Sequence, residues 1–299
     1  MPSMIKISIS SLLLCVLLAA CGSHDSQKES VAQQRKRPQR IVSLTPSATE
    51  VLHGIGAFGR VVAVSDYCNF PPETKNLPRV GGWQNTSLER VAALKPDLIV
   101  MTDAQAPFSK DRLEALGIET LAVPSRSLDD AFAAIKQIGK ATGNDTEAAR
   151  LANETRAKIE AVRERTATLA RPRVLCIVDR VPGTLRDLYA ATEGSFIAQL
   201  IEVAGGQAIA SPAKAGYGRI TKEAVVSLNP EIIIDMVQGA EGRLGEDPQA
   251  VWRELPQIEA VRAARIYPMR DASVLHPSQF VGSTAERFAE VIHPELFPQ

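Results

Sequence analysis

The sequence predicts a two-lobed α/β protein in which one long bridging helix joins the lobes. Three observations carry that reading. Short β-branched runs alternate with helical patterns, one helical stripe is far longer than its neighbours, and a fourteen-residue unit recurs in both halves of the chain. Alternating strand and helix signals bury their apolar faces when helices layer on a sheet.

In the first half, Ile41 to Leu44, Val61 to Val64, Leu98 to Met101 and Thr120 to Val123 read as strands. Each is a short apolar, largely β-branched run bounded by turn residues. Between them Ala48 to Leu52, Leu88 to Leu94, Lys110 to Leu116 and Leu128 to Gly139 read as helices, with Gly117 and Gly139 at C-caps. The long helix follows, from Asp145 to Leu169. Ala148, Leu151, Ala152, Thr155, Ile159, Val162, Thr166 and Leu169 form its one-sided stripe. Asn144 or Asp145 can cap its start, and Pro172 prevents its continuation. At ~1.5 Å per residue it spans roughly 38 Å, the width of a small domain. Beyond it Val174 to Val178, Leu188 to Ala190, Ile232 to Met236 and Arg265 to Pro268 read as strands. Phe196 to Ala204, Lys222 to Leu228 and Thr284 to Ile292 read as helices. The expected division is an N-terminal lobe over 40–144, the bridge over 145–170 and a C-terminal lobe over 171–299.

The repeat aligns Ser87–Val100 with Thr221–Ile234 without gaps. Ser87 and Thr221 are N-cap types, Glu89 and Glu223 follow two residues later, and Leu94 to Asp97 matches Leu228 to Glu231 as a Leu-x-Pro-acid ending. Two lobes of like construction follow from it.

The amino terminus has a different character. Met1 to Ala20 reads as a secretory signal: Lys6 precedes an apolar run, Leu12 to Leu18, too short to span a bilayer. Leu18-Ala19-Ala20-Cys21 resembles the bacterial lipobox, which implies acylation of Cys21 and a membrane-surface anchor. From 21 to 39 the composition turns to His, Ser, Gln, Lys, Glu and Arg, a flexible tether. As a coil, its residues after Cys21 reach on the order of 25 Å. Nothing further along is apolar enough to cross a membrane.

Composition excludes several classes. Acidic and basic residues balance at 34 each, so no net field points to nucleic acid or acidic substrates. Cys68 and Cys176 allow one disulfide but no disulfide scaffold. Gly54-Ile55-Gly56-Ala57-Phe58-Gly59 fits G-x-G-x-x-G, yet it follows a helix and precedes a strand, the reverse of a dinucleotide site. No nucleophile elbow, H-E-x-x-H or Walker A loop occurs, which argues against an enzyme and a resident cofactor. The histidines have no metal-ligand spacing. His24 falls in the tether, His53 at a helix end and His293 at a helix C-terminus. His276 lies in an irregular stretch, where a ligand contact and a loop hydrogen bond are both open.

Two loops carry the binding chemistry. Ser65 to Glu73 places Tyr67, Cys68 and Phe70 on a proline-stiffened turn, and Gly81-Gly82-Trp83-Gln84-Asn85 places a tryptophan beside glycines. Both follow strand signals, where open α/β sheets bind ligands. Trp252 and Cys176 read as packing residues.

These same tracts carry a family resemblance. Val80 to Asn85 leading into Leu88 to Leu98, Asp66-Tyr67 with Phe70 to Glu73, Gly194 to Leu200 with Ala204 to Gly206, and Ile220 to Pro230 are similar to helix-bridged periplasmic binding proteins of ABC importers. That class carries cobalamin, haem and iron-siderophores, and the match is with its cobalamin-binding members. The resemblance runs from about Arg40 to Pro294. It implies a monomeric, non-catalytic corrinoid receptor with the ligand between the lobes, lined by Tyr67, Cys68, Trp83, Tyr217, Arg219, Asp271 and His276. It also implies that Glu89 and Glu223 meet a permease dimer driven by ATPase subunits. Asp271 to Phe280 departs from the cobalamin-binding pattern. A haem or iron-siderophore receptor, with His276 or Tyr217 ligating iron, therefore stands as the alternative. An extracytoplasmic enzyme is a second.

Overall fold

The computed structural model describes residues 37–210, 216–236 and 248–297. The leader, Cys21, His24 and nearly all of the tether lie outside them. Strands β1 (Ile41–Ser43), β2 (Val61–Val64), β3 (Leu98–Thr102) and β4 (Thr120–Val123) form an all-parallel sheet ordered β2-β1-β3-β4. β3 is buried at every residue, which is why it reads as a continuous apolar run rather than an alternating one. Helices α1 (Pro46–Gly54), α2 (Leu88–Ala93), α3 (Ala106–Glu114) and α4 (Leu128–Thr142) complete the N-terminal lobe.

Two helix ends depart from expectation. α4 runs past Gly139 and ends at Gly143 in the left-handed region, φ 69°. Gly139 instead serves packing, because a Cβ there would collide with the Ala148 side chain. Bridging helix α5 (Asp145–Thr166) begins after Asn144, whose side chain does not cap it. That amide is taken by Arg60 Nη2 at 2.5 Å and the Ile55 carbonyl at 2.9 Å. The helix stops three residues short of Leu169, where Thr166 Oγ1 donates back to the Val162 carbonyl and across to Val203.

The C-terminal lobe holds β5 (Arg173–Asp179), β6 (Tyr189–Ala191), β7 (Gln207–Ala208), β8 (Tyr217–Arg219), β9 (Ile232–Met236) and β10 (Ile266–Met269). Among the described residues their order is β10-β9-β5-β6-β8, with β7 also on β5. β9, β10 and β7 run parallel to the β5 direction, whereas β6 and β8 form an antiparallel edge. Helices α6 (Phe196–Val203), α7 (Lys222–Leu228), α8 (Pro248–Trp252), α9 (Glu259–Arg262) and α10 (Val281–Ile292) surround it.

The sequence repeat is a structural repeat. Ser87 Oγ accepts from Arg90 N at 3.3 Å and Thr221 Oγ1 from Ala224 N at 3.2 Å, so each hydroxyl caps its helix. The matched residues Lys95 and Asn229 both turn left-handed, φ 47° and 41°, before the proline and the buried strand.

The bridge is shared between two cores. Ala148 and Leu151 join the core of β1, β2 and β3, while Ile159 and Val162 join that of β5 and β9. α4 straddles the lobes too, with Ile135 and Ile138 in the first core and Ala131 in the second.

Candidate functional site

The lobes meet at several points. Phe196 N donates to the Arg126 carbonyl at 2.7 Å, and Leu128 N donates to Gln199 Oε1 at 2.7 Å. Elsewhere Phe70 packs edge-on against Phe280, with ring centroids 5.0 Å apart, and Glu50 in α1 bonds to His276 and Ser278. On the N-terminal lobe each contact comes from a segment after the carboxyl end of a parallel strand, as do His276, Ser278 and Phe280 after β10. That is the edge where open α/β sheets receive ligands, whereas Phe196 and Gln199 follow the antiparallel β6.

On the N-terminal lobe, loops of that edge are braced from below. Arg79 Nη1 donates to the Ser65 carbonyl at 2.8 Å and the Cys68 carbonyl at 2.7 Å, pinning the turn that carries Tyr67. The adjacent loop closes through Ser87 N to the Val80 carbonyl, and Gly82 N donates to Asn85 Oδ1. Gly81 sits at φ 102°, where a Cβ would strike the Asn85 carbonyl, and a Cβ on Gly82 would crowd the Tyr67 ring. These glycines let Tyr67 lie against the second loop. Tyr67 is 62% exposed and Trp83 38% exposed, so two large aromatic faces stand in solvent on fixed backbone.

Cys68 corrects the expectation. It is fully enclosed, with Thr49 Oγ1 donating to its sulfur at 3.2 Å and Ser65 Oγ 3.1 Å away. Burial pushes the thiol pKa up despite those hydrogen bonds, so it remains a thiol that fastens the Tyr67 turn and offers no surface to a ligand. Cys176 is a free, buried residue of β5, and the two cysteines form no disulfide.

The remaining expected residues scatter over the C-terminal lobe. Tyr217 packs partly against its core, and burial, then the nearby Cys176, pushes its phenol up. Arg219 is exposed, 3.6 Å from Asp187. Asp271 caps the short 3-10 turn Ala272–Leu275 by accepting from Ser273 N and Oγ, with Arg287 at 3.3 Å. Desolvation acts to raise its pKa, but the Ser273 bonds and Arg287 outweigh it and hold the carboxyl low. Both outcomes left open for His276 bear on one atom: its Nδ1 lies 2.5 Å from Glu50 Oε1, so the hydrogen bond is made across the lobes. Trp252 is fully buried and donates Nε1 to Asp235 Oδ2 at 2.8 Å, a packing residue as expected.

Sequence reasoning missed Arg79, Glu50 and Tyr189. Tyr189 is 37% exposed, pairs with Asp179 at the carboxyl end of β5 and faces Arg219 across the ladder. Its only signal was an aromatic in a short strand. Glu50 and Arg79 had none, since each acts on residues distant in sequence.

Glu89 and Glu223 are exposed in the first turns of their helices. Hydrogen bonds from its own backbone N–H and from Thr221 hold the Glu223 carboxyl low. Beside Glu89 an open apolar hollow of 380 Å³ is lined by Leu88, Ala92, Arg112, Ala115 and Leu116, none of them an expected ligand residue. Among the described residues no group of three or more His, Cys, Asp or Glu side chains could hold a metal ion. No described helix is long and apolar enough to cross a membrane.

Residues 41–272, most of the chain, match the periplasmic binding protein family. The chain belongs to that family. An uncharacterized ABC transporter substrate-binding lipoprotein of Bacillus subtilis is 28% identical, over 96% of both chains. A vitamin B12-binding protein of Pectobacterium atrosepticum is 29% identical over 74% of this chain and 78% of its own. A periplasmic haem-binding protein of Pseudomonas aeruginosa superposes with a TM-score of 0.76 at 22% identity, covering 86% of this chain and 93% of that one. That likeness shows the shared two-lobed fold. In this periplasmic binding protein, then, the strand-end loops that meet between the lobes are the candidate ligand face.

Proposed function

We propose that this protein is the ligand-capturing subunit of an ABC importer and takes a corrinoid, cobalamin, between its lobes. The observation that carries the reading is the pair Tyr67 and Trp83, two exposed aromatic faces held on braced loops at the lobe-facing edge. A flat macrocycle with apolar flanks is held by such faces through area burial and stacking. The relatives named for vitamin B12 binding and ABC transport support the same class. The proposal assigns the protein no catalytic step. Capture alters the liganded fraction, docking on the permease follows, and the ATPase subunits drive release.

A haem or ferric siderophore is the second reading. It draws on the haem-binding structural neighbour and on Tyr67, whose exposed phenol is an oxygen donor suited to iron. His276 and Tyr217 suit that role less, because one is bonded to Glu50 and the other packs on the core. Titration of the full-length protein with cyanocobalamin, cobinamide and haemin, read by absorbance, separates the readings, and saturable corrinoid binding without haemin binding is expected. Saturable haemin binding alone would replace the first reading by the second.

We further propose an extracytoplasmic location with the lipid on Cys21 as anchor. Cys21→Ser is expected to move the protein from the membrane to the soluble fraction, because acylation is the one anchor the sequence offers. Undiminished membrane association of that variant would defeat the anchoring proposal.

A further inference from the structure

Glu50 is an unusual residue for the middle of a core-facing helix. It is 2% exposed, and a buried carboxylate is costly unless its oxygens are satisfied. Both are satisfied from the other lobe. His276 Nδ1 lies 2.5 Å from Oε1, and Ser278 Oγ donates to Oε2 at 2.6 Å. The main-chain carbonyl of Glu50 accepts from Gln279 Nε2 at 2.9 Å. Three side chains of one C-lobe segment thus converge on one residue of α1.

The segment is itself held in shape. Ser278 N donates to the His276 carbonyl at 2.8 Å, and Ser278 Oγ accepts from Phe280 N at 3.2 Å. Pro277 restricts the turn between them. Gly54 leaves room for the Gln279 amide, since a Cβ there would sit 3.3 Å from Gln279 Nε2 and press into Leu151 of the bridge. Phe280 then reaches Phe70, in the same loop as Tyr67. The junction therefore touches α1, the Tyr67 loop and the bridging helix together.

We propose that Glu50, His276 and Ser278 form a cross-lobe clasp that sets the opening between the lobes, and that they are positioning residues rather than ligand contacts. This deepens the ligand-capture reading and rests on it for its binding arm. Parting the lobes at this point would exchange two short hydrogen bonds to a carboxylate for bonds to water, a larger loss than that of a neutral surface contact. The clasp adds a further attachment to those made by α5 and by the Arg126–Phe196 and Leu128–Gln199 bonds, and attachments at separate places suppress rotation about any one of them. A ligand then meets the Tyr67 loop already at working distance, and the fraction of molecules competent to bind stays high. Release of the clasp lowers that fraction and weakens apparent affinity in proportion.

The test separates lobe position from ligand contact. Spin labels attached through p-acetylphenylalanine at exposed positions Glu119 and Gln257, one on each lobe, report the lobe separation of the full-length unliganded protein by pulsed EPR. The unaltered chain is expected to give one narrow distance. His276→Ala and Ser278→Ala are expected to add a longer-distance population, and Glu50→Gln, which keeps the shape and an acceptor, to restore more of the narrow one than Glu50→Ala. His276 is the safest probe, since its side chain is 20% exposed and its loss leaves the core intact. Whichever of cyanocobalamin and haemin the unaltered chain binds, His276→Ala is expected to bind about ten-fold more weakly with an unchanged bound-state spectrum, the scale of losing a hydrogen bond to a charged group. Lobe distances unchanged in both His276→Ala and Ser278→Ala would overturn the clasp. So would an altered bound-state spectrum with unchanged distances, which would make His276 a ligand contact. If neither compound binds the unaltered chain, the ligand reading fails while the distance measurement still decides the clasp.

Discussion

The repeated units Leu88–Thr102 and Lys222–Met236 share cap, left-handed exit, proline and buried strand, yet the lobes around them are finished differently. The N-terminal sheet is parallel throughout, and its loops are braced by an arginine bonded to neutral carbonyls. The C-terminal sheet adds an antiparallel edge, and its interior arginine is paired with a charge. Arg180 Nε lies 3.0 Å from Asp235 Oδ2, with side-chain exposures of 3% and 0%. The local helix–strand code is thus reusable, while the device that rigidifies each lobe depends on what the long-range packing brings near. A carbonyl brace tolerates loss of one bond. A buried ion pair is less forgiving, because the surviving charge loses a buried counter-charge.

That contrast predicts the largest effect. Asp235→Ala removes the partner of both Arg180 Nε and Trp252 Nε1, and it should destabilise the protein by about 3–5 kcal/mol, the range for breaking a buried pair. Urea unfolding checks it, and a loss under 1 kcal/mol would mean that the C-lobe core does not depend on the pair. Arg79→Ala should cost less, about 2 kcal/mol, since its donors bond neutral carbonyls rather than a buried counter-charge. Its melting temperature should fall by roughly 4–8 °C for a chain of this size. Equal losses in the two variants would erase the distinction between the lobes.

Binding should follow the other lobe. Trp83→Ala is expected to weaken corrinoid affinity by about 1–3 kcal/mol with little change in stability, because the ring is partly solvated in the free protein. Tyr67→Ala should act in the same direction. Calorimetry showing full affinity in both variants would mean that the exposed faces serve no ligand.

Periodicity and turn chemistry made much of this fold legible. Ile232–Met236 and Thr120–Val123 form strands over the residues read for them, and the long stripe from Ala148 to Thr166 is the bridge. Those signals are local, since apolar spacing and caps lie within a few residues of the element they define. The antiparallel edge was harder, because Tyr217–Arg219 is a three-residue strand whose register with Tyr189–Ala191 is set by pairing. The site was legible only in part. Tyr67 and Trp83 announce themselves as aromatics beside Gly and Pro, whereas Cys68 reads on paper as either a ligand contact or a quiet thiol and is enclosed once Thr49 folds over it. Glu50 read as one more residue of α1, because its partners lie more than 220 residues away.

The smallest expected effect on the isolated protein is the most informative about its partner. Glu89 and Glu223 are matched by the repeat, exposed and free of any cross-lobe bond, so truncating either should alter stability by no more than about 0.5 kcal/mol. Ligand affinity should also hold, since neither sits on the strand-end loops. On the importer reading proposed above, two carboxylates in equivalent turns would meet the two matching halves of a two-fold permease. Charged contacts of this kind govern encounter and orientation more than raw affinity. Uptake in cells should therefore drop in Glu89→Ala and Glu223→Ala, and further in the double variant, with the complex weakening as salt rises. The lobes should differ even here. Leu88, Ala92, Ala115 and Leu116 put apolar surface beside Glu89, and a charge pair strengthens where docking displaces water. Glu89→Ala should accordingly be the more damaging of the two. Equal uptake defects would remove any role for the hollow, and normal uptake in the double variant would reduce both carboxylates to helix starters favoured by the N-terminal dipole.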